Sequence, residues 1–460
     1  MAQQQTAKKV GTNLTEGPIF KLLLVFVGPI ILANLIQQLY GMVDLMIIGI
    51  YMGNTGTVGV STGGEMSDMV TPIATSFGAA AQIYIAQLLG AKDDKRMKEA
   101  IGTSISFMML VSVVIMVLVI VFRVQILELL NCPEEAFDQA ESYMVITAVG
   151  VPFIFGYNAV AGVLRGMGES KRPMVFIIVA ALVNVVLDFL LVGPFHMESA
   201  GAAYATALSQ LASFVAALVY MYKRREQFDF SLKPSYFAIK GEHLKVILSL
   251  GIPQAIRSTL VRLSMLYVNA SVNAYGMTAS ATNSIGNKLQ KFLEIYGQSF
   301  SQAASAMVAQ NLGAKKPERA KKTVLYSFYC CMVIAAITVV IVLVWPREVF
   351  GIFSKDAAVL DMGVLYCDML AVHLVLSAMT SSLQSMVIGC GNATLNFVIG
   401  ILDGVVCKIG LSLILVYVFD MGVFGYFWGT GFSRLIPGLI CLVYFLSGAW
   451  SKRKLLTEEA

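Results

Sequence analysis

The run Ala86-Gln87-Leu88-Leu89-Gly90-Ala91-Lys92 returns as Ala309-Gln310-Asn311-Leu312-Gly313-Ala314-Lys315, 223 residues further along the chain. Other pairs keep that spacing to within one residue. Pro29 corresponds to Pro253, Tyr143 to Tyr366, Gly166-x-Gly168 to Gly389-x-Gly391, and Gly201 with Thr206 to Gly425 with Thr430. One such pair would mean little. A constant offset along most of the chain is the mark of an internal duplication.

Each copy reads as a set of membrane spans. A spanning helix needs about 20 mostly apolar residues, and Ser104–Phe122 and Val324–Val344 supply that length without a charge. The full set is read at 18–49, 57–89, 101–122, 140–164, 173–193, 200–221, 244–273, 279–312, 324–344, 360–388, 395–418 and 424–447. The first, second, seventh and eighth are longer than a bilayer is thick, so tilted or bent helices are expected there. The architecture that follows is an all-α membrane protein of twelve transmembrane helices in two pseudo-symmetric six-helix bundles. Its parts are a cytoplasmic tail over 1–17, a first lobe over 18–222, a linker over 223–243, a second lobe over 244–448 and a tail over 449–460. Six spans per copy is an even number, so both copies enter the membrane the same way. Their symmetry axis then runs along the membrane normal, with a cleft between the lobes.

Composition agrees. The 460 residues are 57% hydrophobic and only 13% charged, against about 25% charged in ordinary soluble domains. The net charge of +5 sits in short loops rather than in a stripe with aromatics, which argues against nucleic acid as a partner. Twenty-four Lys and Arg fall on one set of loops and ends, from Lys8 and Lys9 through Lys233 to Lys454; Arg123, Arg347 and Lys355 fall on the other. Both termini are therefore expected to be cytoplasmic, in a multi-pass protein of the cell membrane. The polar leader lacks a short apolar core and a small-residue cleavage site, so no removed signal peptide is expected. The seven cysteines show neither metal-ligand spacing nor a disulfide framework. No cofactor is expected, and the expected oligomeric state is a monomer.

A duplicated chain supplies its own control, because a feature held by one copy alone points to function. Asp44, Asn184 and Asp188 lie inside spans, where a carboxylate costs ~2.5–3.5 kcal/mol on insertion scales. Asn184 and Asp188 are four apart and share a helix face. Asp44, Asp188, Asn184 and Thr206 all fall at a similar depth, in the outer half of the first bundle. The second copy has Val268 or Tyr267 opposite Asp44, and Leu411 or Ser412 opposite Asp188. Two carboxylates, an amide oxygen and a hydroxyl could coordinate Na⁺; two neighbouring acids could instead hold a proton. The plain alternative is two separate acids, each hydrogen-bonded within a packed bundle.

At these residues the chain resembles the MATE family, for multidrug and toxic compound extrusion. The resemblance covers nearly the whole chain. It rests on Gly28-Pro29…Tyr40-x3-Asp44, Ala86-Gln87-x2-Gly90-Ala91, Leu164-Arg165-Gly166-x-Gly168 with Pro173, Asn184-x3-Asp188 and Gly201-Ala202-Ala203. It implies a V-shaped pair of lobes and export of amphiphilic, often cationic drugs or toxic compounds in exchange for H⁺ or Na⁺. In the DinF-like branch, which with the MepA-like proteins this sequence resembles most, the first lobe carries the cation site. Carried over by position, that site is Asp44, Asn184, Asp188 and Thr206, with Tyr40, Tyr143 and Asn158 nearby. The NorM-like branch relies on second-lobe carboxylates in the seventh and tenth helices. Here the tenth-helix position is Ser377, and the seventh helix offers Arg257 and Arg262, which speaks against a cation site of that kind.

Further positions carry weaker expectations. Glu65 and Asp68 in the second span correspond to Lys288 and Lys291 in the eighth, an opposition that suggests a charge gate between the lobes or simply a wet cavity. Pro29 and Pro253 suggest a hinge or a static kink. His373, Asp403, Lys408 and Glu294 are polar positions of the second half for which the sequence names no firm partners; Asp403 and Lys408 are five apart on one helix. The competing functions are a lipid-linked oligosaccharide or lipid flippase of related fold, an integral-membrane enzyme, and a channel or receptor. The flippase would show a strongly cationic cleft, and the enzyme a catalytic cluster at a membrane face.

Overall fold

The computed structural model describes residues 11–225 and 237–459, with no strand among them. Parts of the expected tails and linker, including Lys8, Lys9 and Lys233, lie outside the described residues. The helices are α1 (Ile19–Ala91), α2 (Asp94–Val121), α3 (Arg123–Leu129), α4 (Phe137–Gly166), α5 (Lys171–Val192), α6 (Glu198–Lys223), α7 (Gly241–Asn273), α8 (Met277–Leu293), α9 (Ile295–Gly313), α10 (Pro317–Val344), α11 (Pro346–Gly351), α12 (Ala357–Gly389), α13 (Ala393–Ile401), α14 (Ser412–Tyr417), α15 (Val423–Phe432), α16 (Leu435–Ser447) and α17 (Leu456–Glu459). A π-helical segment, Leu402–Leu411, joins α13 to α14.

Eleven stretches among the described residues are long and apolar enough to cross a membrane. Two of them, Ile19–Met52 and Gly56–Ala91, belong to α1. Its 73 residues would span about 110 Å at 1.5 Å per residue, more than three bilayer cores, so α1 carries two crossings. The eighth stretch expected from sequence is not among the eleven. It is two helices, α8 and α9, that meet at Glu294. At 17 residues α8 is short for a crossing by itself, and the 19 residues of α9 include the polar Gln298, Gln302, Gln310 and Asn311. The molecule is an all-α, multi-pass membrane protein.

The chain divides into two compact units. The first comprises Gly28–Gly251 with the short segment ending at Asn13; the second comprises Leu14–Val27 and Ile252–Glu459. Helices α1 and α7 thus each pass from one unit to the other, and Pro29 and Pro253 stand just after the two points of passage. In the first unit α4 is the central element, buried at every residue from Ile154 to Leu164. Small residues let backbones approach there. A Cβ on Gly162 would stand 2.3 Å from the carbonyl oxygen of Gly78, and one on Gly78 would stand 2.8 Å from that of Asn158. In the second unit the buried stretches are Ala303–Gly313 of α9 and Thr380–Val387 of α12.

The duplication extends to backbone turns. Lys92 and Lys315, which close the repeated run, both take positive φ, 59° and 56°. Gly168 and Gly391 do so at 81° and 74°, where a side chain would be strained. His196 and Glu198 match Asp420 and Gly422 in the same way. The repeated run of the second unit also holds the incoming chain. Leu14 N–H donates to Gln310 Oε1 at 3.3 Å, and Asn311 Nδ2 donates to the Leu14 carbonyl at 3.2 Å.

Candidate cation site and a second polar cluster

Tyr40 and Asp44 lie one helical turn apart on the first crossing of α1, and Asn184 and Asp188 one turn apart on α5. Thr206 comes from α6, and Tyr143 and Asn158 from α4. All belong to the first unit. Asp188 is 0% exposed and Asn184 2%, whereas Asp44 and Thr206 are half-buried.

The carboxyl groups of Asp44 and Asp188 stand within hydrogen-bonding reach of each other. Tyr143 lies within reach of the Thr206 side chain and near Asp44, Asp188 and Asp68. Tyr40 lies near Asp44 and within reach of Gln37. Asn158 is engaged elsewhere. Its amide donates to the Ile154 carbonyl at 2.8 Å, and its place fifteen residues along α4 from Tyr143 puts it about 20 Å away at helical rise.

Four buried oxygens at this site lack donors. Asp44 Oδ1, both carboxylate oxygens of Asp188 and Asn184 Oδ1 are buried with no hydrogen-bond partner. A buried carboxylate without a donor is expensive. Two ionised carboxylates are acceptors only, so a bond between them requires a proton. An oxygen-only set of this kind also suits a hard cation. The donor set therefore fits a single positive charge, H⁺ or Na⁺, as the site's occupant.

Of the charged residues paired across the repeat, Glu65 is half-buried and Asp68 exposed in the first unit. Lys288 and Lys291 are exposed on α8 of the second unit.

The second unit contains a polar cluster that sequence reasoning left scattered. Glu294 Oε1 lies 2.7 Å from His373 Nε2 and accepts from Ser377 Oγ at 2.8 Å. Arg434 NH1 donates to Ser377 Oγ at 2.8 Å, and Arg434 stands 3.5 Å from Glu294 and 3.8 Å from Asp403. Both Glu294 and Arg434 occupy breaks, between α8 and α9 and between α15 and α16. The break near Arg434 leaves the Thr430 carbonyl available to His373 Nδ1 at 3.0 Å. Asp403 and Lys408, five apart, sit in the π segment, whose wider turn brings such residues onto one side. A lone arginine inside the last apolar stretch was the signal for Arg434. The helix breaks and the π turn had none.

A family model described as MatE matches residues 29–190 and again 253–414, so the family unit itself occurs twice at the offset of the repeat. The chain is 29% identical over 344 residues to the probable multidrug resistance protein YoeA of Bacillus subtilis, covering 74% of each chain. It is 26% identical to the multidrug export protein MepA of Staphylococcus saprophyticus over 96% of both. A crystal structure of MATE in complex with MaD3S superposes with a TM-score of 0.91 at 19% identity, over 97% of this chain and all of that one. A match to both copies of the repeat, joined to a fold common to solved MATE proteins, is decisive: the chain belongs to the MatE family of membrane transporters.

Proposed function

We propose that this chain is a secondary active antiporter that exports amphiphilic, often cationic compounds in exchange for inward H⁺ or Na⁺. The observation that carries the reading is the donor-free carboxyl pair, Asp44 with Asp188, beside the orphaned Asn184 oxygen in the first unit. A cation entering there supplies the missing positive charge, and its departure restores an unstable site. Tyr143 and Thr206 tie α4 to α6 beside the pair and carry its charge state into the bundle. The relatives, multidrug resistance and multidrug export proteins by name, support drug-like substrates. The family is one of transporters, and the chain is not an enzyme.

Alternating access would turn on the helices that pass between the units. Pro29 and Pro253 each remove an intrahelical hydrogen bond just past the passage, which makes them hinge positions. Both termini would be cytoplasmic by the Lys and Arg asymmetry, and the working unit would be a monomer.

The test is efflux of a fluorescent lipophilic cation from vesicles, first under an imposed pH gradient and then under an imposed sodium gradient. Uphill efflux under one gradient names the coupling ion. Absence of uphill movement under both would overturn antiport.

A further inference from the structure

The geometry points to a second proton-exchange site, in the second unit, formed by Glu294 and His373. The assignment follows from the three contacts of one imidazole. His373 Nδ1 lies 3.0 Å from the Thr430 carbonyl oxygen. A carbonyl only accepts, so Nδ1 carries a hydrogen. His373 Nε2 lies 2.7 Å from Glu294 Oε1. A neutral ring with its hydrogen on Nδ1 presents a lone pair at Nε2, and a carboxylate presents lone pairs too. A contact of 2.7 Å between them needs a proton, on the ring or on the acid. His373 is 1% exposed and Glu294 7%, so water does not bridge the contact instead. With Nδ1 fixed, the pair holds one proton more than a neutral imidazole beside a carboxylate.

The surroundings provide for the state without that proton. Gln290 places its amide nitrogen 2.9 Å from the same Nε2, and its oxygen has no partner. Two donors cannot share one lone pair. The carboxyl contact serves the protonated pair, while the Gln290 amide serves the neutral ring by donating to Nε2. When the proton leaves to water, Ser377 and Arg434 remain to hold the Glu294 carboxylate. Each state thus gives His373 Nε2 a partner, which is what an exchangeable proton requires.

The charged and titratable groups that face the pair come from several helices. Arg434 acts on Glu294 directly, Lys408 and Arg257 add further positive charge, and Asp403 offsets part of it. Tyr296 and Tyr366 complete the shell. Arg434 stands between Glu294 and Asp403. Loss of the shared proton leaves Glu294 a full carboxylate and draws Arg434 toward it, away from the π segment that carries Asp403. A single proton on α12 is in this way felt at the break between α15 and α16. Glu294, between α8 and α9, and His373, on α12, have no part in the Asp44–Asp188 pair of the first unit.

Nitrogen-15 NMR of histidine-labelled protein in lipid nanodiscs reads this directly. The chain has only three histidines, and His373→Asn identifies the signal of interest. The expected result is a His373 Nε2 signal that passes from the hydrogen-bearing to the lone-pair form as the pH is raised, with Nδ1 protonated throughout. Glu294→Gln should displace its midpoint by about one to three pH units, and Gln290→Leu should displace it as well. Asp44→Asn should leave it in place, which separates this site from the antiport reading. A His373 ring that keeps one charge state over the whole pH range in which the unaltered protein stays folded overturns the proposal without recourse to any variant. So does a midpoint indifferent to Glu294→Gln.

Discussion

Replacing Asp188 by Asn isolates the charge at the first-unit site while keeping the side chain's shape. Asp188 is fully buried and neither carboxylate oxygen has a partner. The amide cannot take up a proton, and it can donate to the Asp44 carboxylate beside it. Fold stability should therefore be maintained or raised, by about 1–3 kcal/mol where a buried acceptor gains its missing donor. Transport should behave oppositely. One cation moving through 100 mV contributes ~2.3 kcal/mol, and 1.36 kcal/mol is tenfold in an equilibrium ratio. Loss of one coupled cation thus lowers the limiting substrate gradient roughly fifty-fold at that potential. The assay is the steady-state accumulation ratio of a lipophilic cation in vesicles held at a set potential, with thermal unfolding measured in parallel. An Asp188→Asn protein that is stable, inserted and still reaches the unaltered limiting gradient would refute the assignment of the site.

Asp44→Asn should give the same loss of uphill transport. Asp44→Asn with Asp188→Asn should be no worse than either alone, because the pair acts as one unit; additive losses in the accumulation ratio would separate the two acids. Charge reversal at the exposed Lys288 and Lys291 should change transport rate and its cation dependence; unchanged rates would leave the two lysines without a part in transport. Pro29→Ala should slow turnover while leaving substrate affinity within about twofold, since it restores one helical hydrogen bond and touches no candidate ligand; equal turnover would make the kink static. Gly162→Ala forces a Cβ toward the Gly78 carbonyl and should cost about 1–3 kcal/mol, read as a lower midpoint of thermal unfolding.

The architecture was legible because its physical causes are periodic or repeated. Apolar stretches of membrane length, loops sorted by positive charge and a constant offset between copies each leave a mark in the linear chain. The donor-free acids were legible for a related reason: Asp44 and Asp188 break the repeat, and an acid inside a span needs a purpose. Their adjacency was an expectation from matching depth, and α1 and α5 do bring the two carboxyls together. Asn158 shows the limit of that reasoning. It shares a helix with Tyr143, yet its amide bonds to its own helix.

The second-unit cluster was illegible because it depends on departures from regular helices. Glu294 and Arg434 occur at breaks, where a side chain can leave the regular face of its helix. Thr430 offers a carbonyl to His373 at the end of α15, where the same oxygen also accepts from the Ser433 N–H at 3.3 Å. Asp403 and Lys408 fall on one side because their turn is π rather than α. A reading that assumes 3.6 residues per turn places these groups on separate faces. The repeat sharpens the point: Thr206 and Thr430 are counterparts, yet one uses its side chain toward Tyr143 and the other its backbone toward His373. Duplication preserved the helices, while each unit built its own arrangement of buried charge from different atoms at matching positions. The control that a duplicated chain provides must therefore be applied to atoms in space as well as to letters. An acid missing from its repeat position in the second half has not left that half without a buried acid, because Glu294 supplies one from another helix.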